Sequence, residues 1–207
     1  AAIILLYAWT LQRWLISGIL LFGYWWLLRL SADPYSLENS LVRQMDLAVL
    51  GANHLWQGKG IAFDPEGLLS TLPSVVNVLL GFEVARILSA SPATAQKRLA
   101  VMSAVLVVAA LVWNQWFPIN KSLWTSPFVL LTSGVAIAVL LVLIMLEKTW
   151  CKPALLQLTP FGKNPLFIYA LSFIWEKLLY TFSYQGETYY ELLYQQFCRF
   201  LDAYNAS

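Results

Sequence analysis

Apolar residues run along this chain in long blocks separated by short polar breaks. A stub at 1–9 ends near the polar pair Gln12-Arg13, and apolar blocks follow at 14–30, 67–90, 99–117, 126–146 and 164–182. Each block is close to the roughly 20 residues that a helix rising 1.5 Å per residue needs to cross a bilayer. A last segment at 189–204 is shorter and carries Glu191, Arg199 and Asp202, which suits a final spanning or interfacial helix. The pattern predicts an all-α fold, a polytopic transmembrane helix bundle. It holds about six spanning helices plus a partial N-terminal one, forming a single membrane domain over 1–207.

Local chemistry marks the helix starts. Asp64-Pro65, Ser126-Pro127 and Asn164-Pro165 each pair a side-chain acceptor at the N-cap with a proline at the first helical position. Pro73 falls inside the 67–90 block and is expected to kink it, as membrane helices tolerate when neighbours satisfy the freed carbonyl. Alternating the spans puts Arg13, Arg86, Lys97, Arg98, Lys148, Lys152 and Lys163 on one side, taken as cytoplasmic. The long segment 31–65 and the short loop 118–125 are then external. Within the former, 39–50 reads as a short amphipathic helix lying on the bundle mouth. Leu41, Met45, Ala48 and Val49 share its apolar face, and Gly51 is its stop. Trp25, Trp26, Trp113, Trp116, Trp124 and Trp150 near the span ends read as an aromatic belt.

Composition agrees with the membrane reading. The chain is 59% hydrophobic and only 12% charged, where a soluble domain would be about one-quarter charged. A net charge of +2 without basic clusters gives nucleic-acid binding no support. Cys151 and Cys198 cannot form a disulfide framework and, with His54 the only histidine, offer no metal-ligand spacing. The chain opens at Ala1 within an apolar stretch and without a charged leader, so it is expected to be a piece of a larger membrane protein.

Two junctions stand out, Asp64-Pro65-Glu66-Gly67-Leu68-Leu69 and Phe117-Pro118-Ile119-Asn120-Lys121-Ser122-Leu123-Trp124. Both fall where a span meets water on the same side, and polar side chains gathered at one rim of an apolar bundle suggest a site. Asp46…Leu50-Gly51, His54-Leu55, Asp64-Pro65-Glu66-Gly67, Leu80-Gly81, Pro118…Asn120-Lys121…Leu123-Trp124 and Asn164…Tyr169 occur here in sequence. In that order and spacing they resemble the family of heparan-alpha-glucosaminide N-acetyltransferase and its bacterial NagX-like relatives. The resemblance implies a membrane acyltransferase that takes acetyl from acetyl-CoA and places it on an amino sugar such as a terminal glucosamine. It also implies that this chain is the C-terminal part of the larger protein and that the family's acetyl-handling histidine lies upstream of it, so His54 is not given a covalent role. The alternative is a sugar or N-acetylglucosamine permease without chemistry.

On this reading His54 is a candidate proton acceptor and Glu66 binds or deprotonates the acceptor amine. Asp64, Asn120 and Lys121 are candidate substrate-binding residues, with helix capping, turn formation and lipid snorkelling as their ordinary alternatives. Lys163 and Asn164 face the side from which acetyl-CoA would enter. Glu176 is an intramembrane charge, beside Lys177, that matches the family. Glu83 and Arg86 read as an i,i+3 pair, and Asn77 and Asn114 as interhelical hydrogen-bonding groups. No metal is expected. The expected partners are the lipid bilayer, an amino-sugar acceptor, the missing N-terminal half and, as an assembly, a homodimer. The expected location is a multi-pass protein of a bacterial inner membrane.

Overall fold

The computed structural model describes residues 9–57, 60–64, 66–90, 92–148, 152–184 and 186–205. They form two compact units, Ala1–Met145 and Leu146–Ser207. The first contains α1 (Thr10–Leu28), α2 (Leu41–Leu50), a 3-10 turn (Ala52–His54), α3 (Thr71–Ala90), α4 (Pro92–Trp113) and, but for its last residue, α5 (Ser126–Leu146). The second contains α6 (Lys152–Gln157), α7 (Thr159–Lys163), α8 (Pro165–Thr181), β1 (Ser183–Tyr184), β2 (Glu187–Thr188) and α9 (Tyr189–Asn205).

The chain is mostly helical, as the hydrophobic blocks predict. Among the described residues three helices, Thr71–Ala90, Thr94–Trp113 and Ser126–Leu146, are long and apolar enough to cross a membrane. Their outward faces stay apolar: Val78, Val101, Val105, Val108, Val139 and Val142 are all at least half exposed. Helices apolar all round are what hydrocarbon surroundings select, and they mark a membrane protein. The other expected spans are weaker. α1 has 19 residues with Gln12 and Arg13 in its first turn, while α8 and α9 have 17 residues each.

Two apolar clusters hold the first unit together. One joins Leu21 of α1, Val76, Leu80 and Val84 of α3, Leu99, Leu106 and Ala110 of α4, and Val129 and Ile137 of α5. The second lies at one end, where Tyr24 and Leu28 meet Val42, Phe63, Leu69, Phe117 and Leu123. Helices α4 and α5 approach closely at Gly134. A Cβ there would stand 2.7 Å from Val107 Cγ2 and 3.1 Å from the Ser103 carbonyl. Ser103 Oγ donates to the Gly134 carbonyl at 2.7 Å, so a small residue and a hydroxyl together fix the crossing.

A buried ion centre joins α1 to α3. Glu83 receives Arg13 at 2.6 Å on one oxygen and Arg86 at 2.7 Å on the other. The Glu83–Arg86 pair is the one the i,i+3 spacing predicts. Arg13, which sequence put outside the span, lies within α1, is 5% exposed and stacks over the Phe82 ring at 4.9 Å. Asn77 Nδ2 donates to Ser133 Oγ at 2.9 Å, an interhelical bond of the expected kind. Asn114 instead stays local, accepting the Ile119 N–H at 2.8 Å.

The helix starts differ from their sequence signals. Helix α3 begins at Thr71 rather than 67, because the backbone after Asp64 turns instead of winding. Asp64 Oδ1 accepts the Glu66 N–H at 2.9 Å, and Asp46 of α2 takes the Leu68 N–H at 2.9 Å. Pro73 thereby sits in the first turn of α3, where no intrahelical N–H is needed and no kink is required. Ser126 does not cap α5. Its Oγ donates to the Leu21 carbonyl at 2.8 Å. Asn164 has ψ 54, so its side chain turns back to donate to the Pro160 carbonyl at 3.0 Å instead of capping α8.

The buried face of α2 is Val42 and Asp46, whereas Met45 and Val49 are 37% and 65% exposed. The sequence reading put Asp46 on the polar side, and the structure turns it inward because its carboxylate is used by backbone. In the second unit a two-residue antiparallel hairpin, Ser183–Tyr184 with Glu187–Thr188, interrupts the all-α pattern. Gly186, with φ 88, makes its turn. Glu191 closes the start of α9 by accepting the Thr188 N–H at 2.8 Å. The expected belt residues Trp26 and Trp116 are 64% and 63% exposed, while Trp25 and Trp113 pack edge to face at 5.7 Å; Trp150 lies outside the described residues.

Candidate functional site

The turn leading into α3 and the junction before α5 meet in one concavity. A cavity of about 220 Å³ is lined by Glu66, Ser70, Thr71 and Ser74 from the first and by Trp124 from the second. Sequence put both junctions at one rim, and Glu66 and Trp124 do share a wall.

Each side chain has a local cause. The Asp64 turn over Glu66 is reinforced by the Gly67 N–H donating to the Asp64 carbonyl at 3.2 Å. Glu66 is thereby left exposed, its carboxylate engaged by no hydrogen bond or ion pair among the described residues. Ser74 Oγ donates to the Thr71 carbonyl at 2.8 Å. Trp124 is held at φ 49, the one positive φ of a non-glycine residue among those described. A bulky side chain in that region is strained, and such strain persists where surroundings over-determine it. Here the indole N–H donates to Asn77 Oδ1 at 3.2 Å and the ring meets Phe128 edge to face at 5.3 Å.

The remaining junction residues build the loop. Asn120 Oδ1 accepts the Ser122 N–H at 2.8 Å, and its own N–H donates to Thr125 Oγ1 at 3.0 Å, which is turn chemistry. Lys121 is exposed and makes no ion pair among the described residues. Tyr24 anchors this loop by donating its hydroxyl to the Leu123 carbonyl. His54 is exposed on its 3-10 turn, with Nδ1 2.8 Å from the Leu50 carbonyl, and does not line the Glu66 cavity.

Behind the cavity stands Asp46. Burial pushes its carboxyl above the usual aspartate range. The Leu68 N–H opposes that shift and the Asp64 charge adds to it. The Asp46, Asp64 and Glu66 carboxylates lie on or beside the turn into α3, and an exposed carboxylate such as Glu66 favours a cationic group. A second concavity of about 430 Å³ lies between α3 and α5, lined by Asn77, Gly81, Ser133, Ala136, Ile137 and Leu140 among others. The Trp124–Asn77 bond joins the walls of the two hollows.

This chain is 30% identical over 148 residues to the heparan-alpha-glucosaminide N-acetyltransferase of Mus musculus, matching 60% of this chain and 22% of that protein. The Homo sapiens protein of the same name matches equally, 30% over 148 residues, with 21% of its length covered. The chain is similar to these acetyltransferases over that stretch. The chain spans about a fifth of the length of the acetyltransferases it matches. No family model matches it.

The sequence-predicted residues of the second unit are placed within that unit alone. Lys163 is exposed at the end of α7 and Asn164 joins α7 to α8. Glu176 is exposed on α8, and its neighbour Lys177 carries its ammonium 5.4 Å above the Phe173 ring. Sequence reasoning missed Ser70, Thr71 and Ser74 as cavity residues and took Trp124 for a membrane anchor. The cluster of hydroxyls just after Asp-Pro-Glu-Gly was the available signal.

Proposed function

We propose that the protein containing this chain transfers an acetyl group from acetyl-CoA to the amine of an amino sugar such as a terminal glucosamine. The observation that carries this reading is the hollow lined together by the exposed Glu66, by the hydroxyl residues Ser70, Thr71 and Ser74, and by the Trp124 indole. Sugars are commonly held that way, by an aromatic wall and a few short polar groups. The similarity to the two acetyltransferases supports the reaction class.

In this reading the chain crosses the membrane about six times, and the Glu66 cavity opens on the non-cytoplasmic side. Helix α2 lies over its mouth, in a bacterial inner membrane. Acetyl-CoA supplies an activated thioester. Glu66 attracts the acceptor ammonium and takes its proton, freeing the nitrogen lone pair to form the new C–N bond as the C–S bond breaks and the thiol departs. His54 and Asp64 tune charge around that step, while Asn120 and Lys121 hold acceptor hydroxyls and developing negative charge. Lys163 and Asn164 meet the donor's phosphates at the cytoplasmic side, and Glu176 is a charge buried by segments beyond this chain, in an assembly that includes a second copy.

The test is to incubate the intact protein in vesicles with acetyl-labelled CoA and glucosamine. Label recovered on the sugar is the expected result. Counterflow of unmodified sugar with no release of CoA rejects the reading in favour of a permease.

A further inference from the structure

We infer that Asp46 is the positioning residue for Glu66, acting through the backbone of Gly67 and Leu68 from a different helix. The inference rests on the reading of the Glu66 hollow as the acceptor site. Asp46 is fully buried, yet no side chain of opposite charge reaches it among the described residues. One oxygen accepts the Leu68 N–H at 2.9 Å. The other has no hydrogen-bond partner among the described residues and lies against Gly67. A Cβ on residue 67 would be driven into Oδ2 and would stand 2.8 Å from Asp46 Cγ. Residue 67 is therefore a glycine because a carboxylate occupies the space a side chain would need.

The consequence falls on the neighbouring residue. Asp64 accepts the Glu66 N–H from one side, and Asp46 accepts the Leu68 N–H and lies against Gly67 from the other. The Glu66 side chain then has only the outward direction, into the hollow with Ser70, Thr71, Ser74 and Trp124. Asp46 is itself fixed. Val42, one turn earlier, is fully buried in the cluster that includes Phe63 and Leu69. Arg43 Nε donates to the Ala62 carbonyl at 2.7 Å, tying α2 to the strand of chain that enters the turn. A buried unpaired carboxylate is costly, and an apolar residue would pack here at less cost. A carboxylate at this place fits a need to meet the Leu68 backbone donor at a set position.

The test uses the intact protein with its cysteines replaced by serine and Glu66→Cys added. It reads the rate of labelling at position 66 by a membrane-impermeant maleimide. Asp46→Ala and Gly67→Ala each change that rate roughly tenfold, the worth of one charged hydrogen bond. The double variant goes no further than Asp46→Ala alone, since alanine at 46 leaves nothing for a Cβ at 67 to strike. With Glu66 in place, the acceptor KM follows the same pattern and the acetyl-CoA KM does not move. If Asp46→Ala does not fold, Asp46→Asn reads the same contact. Its amide oxygen keeps the Leu68 N–H, so labelling stays within about threefold of the parent, and a tenfold change overturns the assignment. Unchanged labelling in both single variants, or additive effects in the double, also overturns it. Altered labelling in a protein that transfers no acetyl group upholds the positioning and removes the proposed reaction instead.

Discussion

Trp124 and Asn77, 47 positions apart, are joined by a 3.2 Å hydrogen bond from the indole N–H to the amide oxygen. Asn77 passes the link onward through its Nδ2, which donates to Ser133 on α5 at 2.9 Å. One amide thereby ties the junction before α5 to the middle of α3 and sets the indole as a wall of the Glu66 hollow. Both bonds are partly buried, and together they link three segments of the first unit.

Trp124→Phe keeps a ring near Phe128 but leaves Asn77 Oδ1 without its donor. Thermal unfolding in detergent should show a loss of about 0.5–1.5 kcal/mol, the range for such bonds in water and in membranes. Asn77→Ala should cost more than Trp124→Phe, and adding Trp124→Phe to it should cost little further. Additive losses would mean that the indole N–H is not engaged.

The ion centre gives an asymmetric expectation. Glu83→Ala leaves Arg13 buried beside a second guanidinium with no carboxylate between them, a change that costs about 3–5 kcal/mol. Arg86, whose side chain is 44% exposed, should cost no more than about 1 kcal/mol as Arg86→Ala. Chemical denaturation of the two variants checks the order.

Asp46 predicts the sign of a pH effect. Its carboxyl titrates above the usual aspartate range because burial disfavours the charge. The folded state therefore binds the proton more tightly than the unfolded chain does. The stabilisation this brings is complete below the unfolded value and is lost as pH rises through the raised folded one. Melting temperatures of the parent and of Asp46→Asn, compared from neutral pH downwards, should show the parent gaining relative to the variant. A difference that does not change with pH would contradict the shift.

Much of the helical plan was legible because it depends on local composition. Apolar blocks gave α3 to within four residues and Ser126–Leu146 without change, whereas α4 begins at Pro92, seven residues before its apolar block. The errors fall where a distant residue supplies what a neighbour was expected to supply. Asp-Pro at 64–65 reads as a helix start, but Asp46, 22 positions from Leu68, takes the backbone donor and delays the helix to Thr71. Arg13 reads as a flanking charge until Glu83, 70 positions away, draws it into the bundle. The outward turn of Met45 and Val49 was hidden for the same reason. Hydrophobic periodicity cannot announce that an aspartate will be the buried residue of its helix. Within the candidate site, Glu66 was legible from its motif, whereas Trp124 needed its φ of 49 and its bond to Asn77 to be told from an anchor.

Among the described residues Glu66 makes no side-chain hydrogen bond or ion pair, so its removal can be read as chemistry alone. The decisive measurement is the acetyl transfer rate to glucosamine for the intact protein and its Glu66→Gln variant, matched for expression and melting temperature. A fall of at least roughly a hundredfold with folding unchanged is the expected result, the lower range for losing a general base. Equal rates from the two proteins would contradict the assignment of this hollow as the acceptor site.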